Sequence, residues 1–130
     1  MKRRDTKTLA TEWFESGENN LGYARLGLAE SEYYPEACVL CQQAGERYLK
    51  GFLVLNNKEP ERTHDLTRLL DECIRIEPKF EEIRDECELL TGFYTEARYP
   101  PEIPEYSKDE AEEALRAAEK IVNFIGELIS

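Results

Sequence analysis

The sequence predicts an all-α fold, an antiparallel up-and-down bundle of four main helices plus one short helix. Three observations carry that reading: apolar residues recur at spacings of three and four over most of the chain, no apolar–polar alternation runs beyond a few residues, and the breaks between periodic stretches are brief and rich in Pro, Asn and Gly. With 130 residues the chain has room for one domain, 1–130, which can bury roughly two-thirds of the surface its unfolded form exposes.

The first helix is expected from about Thr8 to Glu30, with Leu9, Trp13, Leu21, Ala24 and Leu28 on one stripe. Gly17, Gly22 and Gly27 lower its intrinsic propensity, so packing against the rest of the molecule must hold it. After Tyr33-Tyr34-Pro35 a second helix runs to about Asn56, and its apolar residues cover so much of its circumference that it belongs at the centre of the bundle. A short third helix follows from about His64 to Arg75, capped by Thr63, with Leu66, Leu69, Leu70 and Ile74 inward. Pro78 opens the fourth, whose stripe of Phe80, Ile83, Cys87, Leu90, Tyr94 and Ala97 steps by three, four, three, four and three. It stops at Arg98-Tyr99-Pro100-Pro101, where successive prolines disfavour the α region. Ser107 to Glu110 is a capping box that starts the last helix, with a buried face running from Ala111 to Leu128.

Charge and cysteines bound the function. The 17 Lys and Arg against 28 Asp and Glu give a net charge of −11, which argues against generic DNA or RNA binding through the phosphate backbone and requires any nucleic-acid site to be local. The basic start Lys2, Arg3, Arg4 and Lys7 lacks the apolar run of a secretory signal, and no stretch approaches the roughly 20 apolar residues of a membrane span, so a cytoplasmic protein away from membranes is expected. Cys38 and Cys41 have a C-x-x-C spacing but sit within an apolar helical run, and with Cys73 and Cys87 they read as reduced, buried, structural residues.

Three patterns could carry chemistry. Glu61-Arg62-Thr63-His64 has the Glu-x-x-His spacing of di-iron bundles, but such sites need two copies and the chain has one His, so no metal or other cofactor is expected. His64 caps or packs, or hydrogen-bonds a neighbouring helix, and it is the one imidazole in the sequence. Gln43, Glu46 and Lys50 stand at i, i+3 and i+7, a polar stripe that is either a solvated face with a Glu46–Lys50 ion pair or a polar cleft or dimer seam. Arg98 ends the fourth helix between Tyr94 and Tyr99; it either complements the helix dipole or binds phosphate while Tyr94, Tyr99 or Tyr106 stacks a base, as single-stranded RNA or a nucleotide requires. Nucleophilic catalysis has little support, since the His has no evident triad partner and no Gly-rich phosphate loop occurs.

Taken together, Tyr34-Pro35-Glu36-Ala37-Cys38, Gln42-Gln43-Ala44 with Glu46 to Lys50, Thr63-His64-Asp65-Leu66 with Leu69-Leu70, Ala97-Arg98-Tyr99-Pro100 after Tyr94, and Tyr106 before the Ala-rich last helix resemble the HEPN family (higher eukaryote and prokaryote nucleotide-binding), in its small stand-alone prokaryotic form. Arg47 departs from the family's usual Lys, and Gly45 and Tyr48 from its usual Ala. The resemblance implies a homodimeric bundle, often paired with a minimal nucleotidyltransferase as a toxin–antitoxin couple, and in many members a metal-independent RNase with four to six residues between its Arg and a following His. Arg98 matches the Arg, but positions 103 to 105 are Ile, Pro and Glu. The sequence therefore points to a nucleotide- or RNA-associated binding subunit, with candidate residues Arg98, Tyr99, Tyr94, Tyr106, His64, Lys50, Glu46 and Gln43. An active RNase using the dimer cleft and a purely structural interaction module are the alternatives.

Overall fold

A computed structural model describes residues 5–30, 32–96 and 105–130. Among them there is no strand, and the elements are α1 (Thr6–Glu30), α2 (Tyr34–Leu55), α3 (Leu66–Ile76), a 3₁₀ helix (Pro78–Ile83) running directly into α4 (Arg84–Glu96), and α5 (Lys108–Ile129). The architecture is the all-helical bundle that the periodicity predicts. Although no helix among the described residues is long and apolar enough to cross a membrane, α2 is nearly all interior: it packs against α1, α3, α4 and α5, and its Cys38, Cys41, Ala44, Leu49 and Leu53 are fully enclosed. An α-helix whose apolar residues surround it has no stable place except between others.

Two sequence expectations change at the short elements. The third helix begins at Leu66, not at His64, because Asp65 takes the N-cap and accepts a hydrogen bond from the Thr67 amide at 2.9 Å. Thr63 sits two residues further back, where its hydroxyl accepts from the Asp65 amide at 3.1 Å. An Asp one residue before the first apolar position competes successfully with a Thr three residues before that position. The second change is that the stretch opened by Pro78 starts as 3₁₀ helix, and Phe80 and Ile83, three apart, are both fully buried, as an element with three residues per turn requires. Phe80 lies between Phe52 and Phe124, with ring centroids at 4.6 and 5.0 Å. The buried stripe of α4 continues through Cys87, Leu90 and Phe93, while the side chain of Tyr94 and all of Ala97 lie outside the described residues.

α5 starts as the capping box predicts: the Ser107 hydroxyl accepts from the Glu110 amide and the Glu110 carboxylate accepts from the Ser107 amide, both at 3.1 Å. Phe93 in the last turn of α4 and Tyr106 just before α5 meet edge-to-face, with ring centroids 5.0 Å apart. The Leu66 amide donates to the Thr91 hydroxyl at 3.0 Å, which ties the start of α3, and with it His64, to the last turns of α4.

Candidate functional site

Glu46 organises the polar interior of α2. Its side chain is enclosed, and one carboxylate oxygen accepts from Lys50 Nζ at 2.9 Å while the other accepts from His64 Nδ1 at 2.9 Å and from Gln42 Nε2 at 3.3 Å. The same Gln42 amide donates to the His64 carbonyl at 2.8 Å, so α2 holds both the backbone and the ring of His64. Lys50 Nζ also lies 5.7 Å from the centroid of the Trp13 ring of α1, a cation–π contact that offsets part of the loss of water around a nearly buried ammonium. Burial pushes the Glu46 carboxyl up, but the hydrogen bonds and charges of Lys50 and His64 outweigh it and hold the group below the ordinary glutamate value.

An ionised carboxylate can only accept, so His64 Nδ1 carries the proton in this pair and the basic lone pair of the neutral ring falls on Nε2. The His64 side chain is 53% exposed, whereas that of Glu46 is 9% exposed. The arrangement is an imidazole oriented by a buried carboxylate at the edge of a bundle, beside a cation. It can hold or release a proton at Nε2, and the ring can recognise a polar ligand. The Gln42 side-chain oxygen is buried with no hydrogen-bond partner, in the middle of this cluster.

The predicted polar stripe is divided by the structure. Glu46 and Lys50 form a buried ion pair, not a solvated one, whereas Gln43 turns to α1, where its side-chain oxygen accepts from Asn20 Nδ2 at 3.3 Å and the Asn20 oxygen accepts from Arg47 at 2.6 Å. The Glu-x-x-His spacing does not converge either: Glu61 pairs with Arg68 and His64 with Glu46, and the described residues contain no cluster of His, Cys, Asp or Glu that could hold a metal ion. Tyr106 is 9% exposed and its ring meets that of Phe93 edge-to-face. Arg98 and Tyr99, and the side chain of Tyr94, lie outside the described residues.

All four cysteines are free thiols buried in the core. Burial, before the nearby carboxylates, pushes Cys38 and Cys41 up to about 12 and raises Cys73 and Cys87 further, so none is set up as a nucleophile or metal ligand at neutral pH.

Gln42 and Trp13 are the site residues that sequence reasoning missed. Gln42 had a usable signal, a polar residue in an otherwise apolar run and one turn before Glu46; Trp13 had none, because its approach to Lys50 depends on how α1 lies across α2.

A helical bundle with a hydrogen-bonded charged cluster on its central helix belongs to the class whose sites are built by side chains from facing helices and adjoining loops. The HEPN domain family model matches residues 10–128, and the chain belongs to that family. It is similar to TT1696 from Thermus thermophilus, with 31% identity and a TM-score of 0.76 over 91% of this chain and 96% of that one. No curated protein sequence matches significantly. Membership carries a broadly nucleotide- or RNA-related function, and HEPN domains commonly dimerise.

Proposed function

We propose that this protein is the nucleotide- or RNA-binding subunit of a cytoplasmic HEPN and minimal-nucleotidyltransferase pair of the toxin–antitoxin type, acting as a homodimer. The observation that carries the reading is the Glu46–Lys50–His64 cluster, a charged site built into the core helix of a HEPN bundle. Arg98 engages phosphate, Tyr99 and Tyr94 shape the pocket and stack on a base, and Lys50 and Glu46 fix the imidazole of His64 at its edge. The Leu66 amide bonded to Thr91 sets the start of α3, next to His64, against the last turns of α4, the helix that Arg98 follows in the sequence. Binding is favoured over cleavage because positions 103 to 105, where the family's RNases carry His, are Ile, Pro and Glu.

One observation favours cleavage as the second reading. A half-exposed His64 whose Nδ1 is held by Glu46 has the orientation of a general acid or base. The two readings separate on end-labelled single-stranded RNA without divalent metal. Binding that saturates, leaves the RNA intact and weakens at least about tenfold in Arg98→Ala is the expected result. Cleavage that is lost in His64→Ala, with helicity retained, would replace binding by catalysis.

A further inference from the structure

At the end of the bundle where α1 gives way to α2 lies an apolar groove of about 530 Å3, walled by Tyr23, Leu26 and Gly27 on one side and by Tyr33, Ala37 and Leu40 on the other. Tyr23, Leu26 and Tyr33 are 65%, 55% and 66% exposed, and the other exposed large apolar side chain among the described residues, Ile129, is at the far end of α5. Solvent gains nothing from three such side chains around one hollow, and a contiguous exposed apolar patch marks an interaction surface. α1 packs chiefly on α2 and touches α5 only lightly, so the groove opens outward.

Gly27 lines the groove without a side chain. A Cβ added at Gly27 would meet only the Ala37 Cβ, at an ordinary 3.9 Å, so the interior does not require glycine there although glycine is a poor helix former. What its absent side chain provides is close approach from outside, the condition for a third helix to lie between α1 and α2.

Charge selects the occupant. The polar residues lining the groove are Glu30 and Glu36, and neither Lys nor Arg lines it. A second copy docked on this face about a two-fold axis would set its acidic rim, Glu30 and Glu36, against itself. A helix with apolar residues at i, i+3 or i+4 and i+7, flanked by Lys or Arg, fits both the hollow and its rim. We propose that the groove docks a basic amphipathic helix of a partner protein. This surface is separate from the Glu46 cluster and does not depend on what that cluster binds.

The test uses two designed helical peptides with one shared Leu face, one flanked by Lys and the other by Glu, titrated by fluorescence anisotropy into the wild type, Leu26→Glu and Gly27→Leu at about 150 mM salt. The Lys peptide is expected to saturate the wild type and to bind at least about tenfold more weakly to both variants and, in its Glu form, to the wild type. Leu26→Glu makes the protein more acidic, so a merely ionic attraction would strengthen in it; Gly27→Leu fills the floor without touching charge and extends into open space, which keeps a folded blocking variant available. Equal affinity of the Lys peptide for wild type and variants would overturn the proposal. So would sedimentation showing a wild-type dimer that Leu26→Glu dissolves and the peptide cannot displace, since the occupant would then be a second copy.

Discussion

Glu46 carries three hydrogen bonds on two oxygens, and removing its charge tests whether the cluster is held together as described. Glu46→Gln leaves the Lys50 ammonium, 11% exposed, without its anion, and the loss of one member of a buried pair costs about 3 kcal/mol. The pH dependence follows from the sign of the shift. A carboxyl held below the ordinary value of 4.5 contributes stability that is complete above that value and disappears as pH falls through the folded-state value. Chemical denaturation from pH 7 to pH 3 should therefore show the gap between wild type and Glu46→Gln narrowing below about pH 4.5. A constant gap would mean that the carboxylate does not make these bonds. At this scale the sequence revealed half of the cluster. Glu46 and Lys50, one helical turn apart, were legible as a pair, but the bond from His64, eighteen residues on, depends on where the connection after α2 returns. The same limit applied to Gln43, whose side was decided by Asn20 of α1.

The elements were legible where periodicity or a cap decides them. α1, α2 and α5 follow from apolar stripes and the Ser107 capping box, whereas the start of α3 and the 3₁₀ opening of α4 turned on competition between adjacent caps and on a spacing of three that both helix types share. Glycine offers a test at this scale, since α1 contains residues of one type with opposite roles. A Cβ at Gly17 would lie 2.7 Å from Tyr48 Cδ2 and 3.2 Å from the Ala44 carbonyl oxygen, and Tyr48 cannot swing away because its hydroxyl donates to Glu18 at 2.7 Å. Gly22 faces open space. Gly17→Ala should therefore destabilise the fold by about 1–3 kcal/mol through overpacking, despite the better helix propensity of Ala. Gly22→Ala should stabilise it by up to about 1 kcal/mol. Thermal unfolding of the two variants checks both signs; a gain in each would mean that α1 does not approach α2 this closely.

For the whole molecule, the bundle and its family were accessible from sequence because a helical core repeats its instructions along the chain, and the ordered set of short motifs from Tyr34 to Tyr106 spans most of it. The candidate site was less accessible, because Glu46 and Lys50 of α2 meet His64 only where the chain before α3 returns to that helix. A chain of net charge −11 binds an anionic ligand only through such a local cluster, not through its overall field. Native mass spectrometry with and without an added mononucleotide or short single-stranded RNA addresses that claim in one measurement. The account predicts a mass of two chains that retains the nucleotide or RNA, with retention falling in Arg98→Ala. A single chain that retains neither, at ligand concentrations approaching about 1 mM, would contradict it.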